Sequence, residues 1–193
     1  MKICVFCASS PLVSEKFQRE AHALGLYIAQ HKHILVYGGA TGGLMDAVAE
    51  GAHEGGGEII GVIPQKIVDA GRQSTLPTKM IVVGDLSSRK DTMCTLADMF
   101  ITLPGGFGTW DETFDVLVSG WLGYHSKHLL LYNCDGYYDG LHVQIERMIT
   151  ENLGYMTRQT RLHIRNTLPE CLAWIEKLDS TISEDTAAKN GEI

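Results

Sequence analysis

Two acids, two cations and a glycine-rich turn are the residues of this 193-residue chain that could do chemistry together. The turn is PGGFGT (residues 104–109), and Asp111 and Glu112 follow it at once. Pro104 ends an apolar run. Gly105, Gly106 and Gly108 then permit a backbone path that a Cβ would obstruct, and a helical pattern begins. The first N–H groups of a helix have no intrahelical acceptor and lie at the positive end of its dipole, so this turn suits a phosphate. Phe107 stands within the turn, and Thr109 can add a hydroxyl or cap the helix. A plain strand-to-helix turn needs one capping residue and no cluster of glycines.

A carboxylate one turn behind a phosphate cradle lies within reach of a bound sugar. Beside a phosphate it is unfavourable unless it offsets positive charge elsewhere. Cleavage of a glycosidic bond develops such charge, as an oxocarbenium ion at the anomeric carbon. Asp111 and Glu112 also suit the dipole of the helix they begin, which is their purely structural reading. Arg89 and Lys90, in SSRKDTM, supply the cations. Placed at a helix start they oppose its dipole, which favours a phosphate or carboxylate partner over a solvated surface pair.

A second glycine segment, GGATGGLMD (residues 38–46), is neither G-x-G-x-x-G nor a P-loop, and no clear acid ends the next strand to hold a dinucleotide ribose. A mononucleotide fits better than NAD. The eight histidines include no H-E-x-x-H and no pairing with cysteines at zinc spacing, so no metal ligands are expected. His31 and His33 read as surface residues. Cys4 and Cys7 spell C-x-x-C, but ICVFC reads as a strand, and an offset of three places the thiols on opposite faces, in the core.

These residues need elements to hold them. Apolar, strand-like runs fall at residues 2–8, 33–39, 58–64, 79–83, 99–104, 128–133 and 162–167. Helical spacing falls at 12–30, 44–53, 87–97, 109–122, 138–152 and 169–178, with Ser87 or Ser88 as N-cap of the third. This alternation predicts an α/β fold: one Rossmann-like domain over residues 1–178, a doubly wound parallel sheet flanked by helices. Residues 179–193 are polar and read as a frayed tail. Ligands bind at the carboxyl ends of the strands in such sheets. Ser9, Gly39, Arg89 with Lys90, and the PGGFGT turn each follow a strand, so four loops converge on that edge.

The formal charge of −7 argues against nucleic-acid or membrane partners held by charge alone. No apolar run approaches the ~18–20 residues of a membrane span, and the N-terminal apolar stretch is too short for a secretory signal. Five cysteines, an odd number, suit reduced thiols and a cytoplasmic protein. The helix after the turn looks apolar nearly all round (VLVSGW, WLGYH), which predicts burial against a second subunit.

The stretch PGGFGTWDE resembles the P-G-G-x-G-T-x-x-E mark of the LOG (Lonely Guy) family, the cytokinin riboside 5′-monophosphate phosphoribohydrolases. Arg89-Lys90, the GG…GLM segment at 38–45 and Ser9 match it too, and the resemblance runs from about residue 2 to about residue 178. It implies a Rossmann-like homodimer that hydrolyses a purine nucleoside 5′-monophosphate to free base and ribose 5-phosphate, without a metal or redox cofactor. It implies Arg89 and Glu112 as the catalytic pair. Ser9, Gly39, Lys90, Gly105, Gly106, Phe107, Gly108, Thr109 and Asp111 would bind substrate, Arg89 among them. Ser87-Ser88 replaces a frequent Met-His, Trp110 a smaller aliphatic and Asp111 a frequent Glu, which leaves the base open. Members also carry the label lysine decarboxylase, for which no lysine stands in a persuasive context. A non-hydrolytic carrier of a nucleotide or phosphoryl cofactor, like the molybdenum cofactor carriers, is the alternative; binding alone would not need Arg89 with Glu112.

Overall fold

In the computed structural model, residues 1–154 and 161–190 are described, with side chains as far as residue 182. Strands and helices alternate: β1 (Lys2–Phe6), α1 (Glu15–Gln30), β2 (Ile34–Tyr37), α2 (Gly43–Glu54), β3 (Ile59–Pro64), α3 (Gln65–Asp69), β4 (Lys79–Val83), α4 (Leu86–Leu96), β5 (Met99–Thr102), α5 (Phe107–Trp121), β6 (His128–Tyr132), α6 (Asp139–Thr150), β7 (Leu162–Arg165) and α7 (Leu168–Asn190). A 3₁₀ turn, Cys134–Gly136, leads into α6. The seven strands pair in the order β4-β3-β2-β1-β5-β6-β7, every pair parallel.

Two apolar layers hold the sheet. Ile3, Val5 and Cys7 face α1, α2 and α7, while Cys4 and Phe6 face α4, α5 and α6. The central strands are therefore covered on both faces, which is why they read as continuous apolar runs. Cys4 and Cys7 lie buried in opposite layers as free thiols, and burial pushes both thiols up.

Several expectations need correcting. α3 lies between two expected strands, in a stretch to which the sequence pattern gives no element. The N-cap of α4 is Asp85, whose carboxylate accepts from the Ser88 amide at 2.7 Å, and not Ser87 or Ser88. α5 starts at Phe107 with Gly106 in the cap position, so Thr109 lies inside the first turn and does not cap it. The backbone continues as α7 to Asn190, well past residue 178. His33 is buried, with the N-terminal amine 3.2 Å from its Nδ1. Among the described residues no helix is long and apolar enough to cross a membrane.

Candidate active site

β1 leads to β2 on one side of the sheet and has β5 on the other, so the strand order reverses between β1 and β5. This switch point is where an open α/β sheet leaves a crevice. The loops after β1 and β5 meet there: Leu103 N donates to Phe6 O at 2.9 Å and Ala8 N to Pro104 O at 3.2 Å. The loop after β2 joins them through Leu44 N, which donates to Ala8 O at 2.9 Å.

The 104–109 turn has the form its sequence implies. Gly106 to Gly108 are exposed, and the amides of Gly106, Phe107 and Gly108 donate to no protein acceptor among the described residues, while the buried Gly105 amide meets the Tyr138 hydroxyl. No side chain caps α5. Its first turn is left open to an anion. Thr109 is buried beneath Gly105: a Cβ on Gly105 would lie 2.1 Å from Thr109 Oγ1, so only glycine lets the threonine tuck under the loop.

The two catalytic candidates, from α4 and α5, are in contact. Arg89 Nη1 lies 2.7 Å from Glu112 Oε1, with the side chains 11% and 5% exposed. Arg89 Nε donates to Val62 O at 3.1 Å, which anchors the guanidinium to β3. Gly38 makes room for it, since a Cβ there would lie 2.1 Å from Arg89 Nη2. Burial pushes the Glu112 carboxyl above its ordinary range; Arg89 opposes the shift and Asp111 adds to it. Lys90 Nζ bridges Asp111 at 3.0 Å and Asp115 at 3.2 Å. Burial alone would lower the Lys90 ammonium, but its bonds to Asp111 and Asp115 outweigh that and hold it above its ordinary value.

Ser9 follows β1, and its carbonyl passes so close to Gly42 that a Cβ there would lie 2.4 Å away. Gly39, at φ +67°, packs on β3: a Cβ would meet Met80 Sδ and the Val62 amide, so it shapes the loop from behind. One neighbour of the site is missing from the sequence reading. Residues 72–74 zip against the β2 loop through an Ala40–Gln73 bridge, Thr41 N to Arg72 O at 2.8 Å and Ser74 N to Gly39 O at 2.9 Å. Arg72 Nη2 also donates to Thr41 O at 3.0 Å, and Arg72 lines a cleft of about 510 Å³ with Ser9, Ser10, Thr41 and Asp46.

A doubly wound sheet, an uncapped helix N-terminus at its switch point and a buried Arg–Glu pair one turn behind define a Rossmann-like α/β protein with a charged crevice at the carboxyl edge of its sheet. Residues 45–175 match the family described as "Possible lysine decarboxylase". The chain is 35% identical over 179 residues to cytokinin riboside 5′-monophosphate phosphoribohydrolase LOG5 of Arabidopsis thaliana, covering 93% of this chain and 77% of that protein. It is 36% identical over 183 residues to the probable phosphoribohydrolase LOGL9 of Oryza sativa subsp. japonica, covering 94% and 78%. It belongs to the LOG family. Among solved structures, the molybdenum cofactor binding protein of Rippkaea orientalis superposes with a TM-score of 0.70 at 23% identity, covering 92% of this chain and 96% of that one. The Moco carrier protein of Chlamydomonas reinhardtii gives 0.71 at 22%, covering 93% and 98%. These last two likenesses are of fold.

The decarboxylase description does not fit the residues. That chemistry runs through a lysine Schiff base with pyridoxal phosphate, which needs a lysine that gives up its proton. Lys90 is the lysine beside the Arg–Glu pair, and its two carboxylate partners hold the proton on.

Proposed function

We propose that this chain hydrolyses the N-glycosidic bond of a purine nucleoside 5′-monophosphate, releasing the free base and ribose 5-phosphate. The observation that carries this reading is the buried contact between Arg89 and Glu112, one helical turn from an uncapped glycine-rich helix start. A binding protein has no need of a carboxylate buried next to a phosphate. A glycosidase does.

The amides of Gly106, Phe107 and Gly108 take the 5′-phosphate at the turn that Gly105 begins, and the dipole of α5 assists. Phe107, 95% exposed, borders the phosphate. Thr109 supports the cradle from below, and Ser9, Gly39, Lys90 and Asp111 complete the walls of the substrate site. With the phosphate fixed, the ribose lies over Glu112. As the bond from the anomeric carbon to the base nitrogen breaks, its electron pair leaves with the base and positive charge gathers on the sugar. The Glu112 carboxylate stabilises that charge and orients the water that adds to the anomeric carbon, and the proton the water gives up ends on the departing base nitrogen. Arg89 keeps the carboxylate ionised and pointed, against the upward push of burial.

The enzyme works as a homodimer in the cytoplasm. Trp110, Phe114, Val118 and Trp121 form an exposed apolar stripe down α5, and Val143, Met148 and Ile149 are exposed on α6. A groove lined by Phe114, Val118, Trp121, Met148 and Ile149 joins the two helices. An apolar surface of this kind suits a second copy of the chain.

Incubation with AMP and with isopentenyladenosine monophosphate, followed by chromatography, should reveal free base from at least one. Glu112→Gln should cut the rate at least about 100-fold, the lower range for losing a catalytic acid–base group. Wild-type protein that binds both nucleotides and releases no base is a carrier instead.

A further inference from the structure

Three successive carbonyls lead into the phosphate loop, and each is taken by a donor fixed behind it. Tyr138 Oη donates to Leu103 O at 2.7 Å, the Ala8 amide to Pro104 O at 3.2 Å, and Tyr137 Oη to Gly105 O at 2.8 Å. In a trans peptide unit the C=O of one residue and the N–H of the next point in opposite directions in one plane. Holding a carbonyl behind the loop therefore aims the following amide to the front. Tyr137 does this for the Gly106 amide, whereas the buried Gly105 amide turns to the Tyr138 hydroxyl. Through Leu103 O, Tyr138 has no following amide to aim, because the next residue is a proline.

The Gly105–Gly106 peptide is the unit that most needs a restraint, since glycine on either side leaves its plane free to turn. The tyrosine pair is itself held firmly. The Tyr138 amide donates to Asn133 Oδ1 at 2.7 Å, and Asn133 Nδ2 donates to Asp139 and Asn166. Phe17 of α1 meets the Tyr137 ring edge-on at 5.9 Å between centroids, and Tyr138 meets it at 4.9 Å.

We propose that Tyr137 is a positioning residue for phosphate recognition, its hydroxyl locking the Gly105–Gly106 peptide so that the Gly106 N–H faces the 5′-phosphate. This rests on the nucleotide reading above and adds to it a residue 32 positions beyond the loop. Tyr138, one residue on, closes the end of β5 and meets the buried Gly105 amide, not the exposed Gly106 one.

The test compares Tyr137→Phe and Tyr138→Phe with wild type, measuring kcat and KM for AMP, inhibition by ribose 5-phosphate and by ribose, and thermal melting. Tyr137→Phe should raise KM for AMP and weaken ribose 5-phosphate by about three- to tenfold, the worth of one hydrogen bond. Inhibition by ribose, which lacks the phosphate, and kcat should stay near wild type, as for a lost uniform binding contact. Tyr138→Phe should melt earlier and shift the AMP and ribose 5-phosphate constants less than Tyr137→Phe does, because its hydroxyl meets the buried Gly105 amide and not the exposed Gly106 one. Wild-type constants in Tyr137→Phe overturn the proposal, and so does an equal loss in both variants, which would mean general loosening. If wild type neither releases base nor binds ribose 5-phosphate, the nucleotide reading fails and this proposal falls with it.

Discussion

Replacing Arg89 by methionine should make the stability of this protein depend on pH in a way that isolates Glu112. At 2.7 Å the two charges attract by about 6 kcal/mol at an effective dielectric of about 20, before desolvation is subtracted. Removing one member of a buried pair costs about 3–5 kcal/mol net, because the other charge stays buried without a partner. Glu112 can escape that penalty by taking up a proton. Its folded-state carboxyl already stands above the ordinary value of 4.5, and without Arg89 it moves higher still. Below 4.5 the carboxyl is protonated in both folded and unfolded chains, and the pair's charge term vanishes. Between 4.5 and the raised folded value only the folded chain holds the proton, so stability falls by about 1.4 kcal/mol per pH unit as pH rises. Above the folded value the loss is complete and flat.

The difference between wild type and Arg89→Met should therefore be about 1 kcal/mol near pH 4.5, from the lost bond between Arg89 Nε and Val62 O. It should grow to about 3–5 kcal/mol by pH 8. Urea denaturation followed by tryptophan fluorescence at four or five pH values gives this curve, and unrelated titrations cancel in the difference. Adding Glu112→Gln to Arg89→Met should flatten it. A difference that does not change with pH, or a slope that survives in the double variant, refutes the claim that Arg89 is what keeps Glu112 ionised.

Two further predictions follow from neighbouring contacts. Asp111 raises the Glu112 carboxyl and Lys90 lowers it, so Asp111→Asn should move the acid limb of the kcat/KM profile to lower pH and Lys90→Met to higher pH. Movement of both limbs in one direction would rule out a simple electrostatic effect. Val118 is 51% exposed in the single chain, so Val118→Glu should change monomer stability by less than about 0.5 kcal/mol. If the α5 stripe is the dimer interface, it should still convert dimer to monomer at micromolar concentration in light scattering.

The alternation of strands and helices was legible because both faces of the sheet are covered, which strips the central strands of polar residues. Arg89 and Glu112 were each legible as chemistry at the start of a helix that follows a strand, but only the family resemblance pairs them, since β4 and β5 have three strands between them in the sheet. What escaped depends on contacts distant in sequence. The Arg72 segment is polar and looks like plain loop; its order comes from an antiparallel bridge to residue 40. Tyr137 and Tyr138 look like two more aromatic residues ahead of a helix. Their meaning rests on hydroxyl bonds to carbonyls 32 and 35 residues away.

α5 shows how a correct pattern can be sorted wrongly. Its run of apolar residues suggested a helix buried nearly all round, and the replacement of a smaller aliphatic by Trp110 left the base open. The structure divides it into three faces. Thr109, Glu112, Thr113 and Val116 are buried against the sheet. Asp111 and Asp115 share Lys90. Trp110, Phe114, Val118 and Trp121 form the exposed stripe, with Trp110 and Phe114 edge to face at 6.1 Å. The spacing 110, 114, 118, 121 is that of one helix face, and Thr109 and Glu112 lie on another. The tryptophan that replaces a smaller aliphatic in this family thus lies with the subunit-contact candidates. A change there should alter assembly before it alters the choice of base.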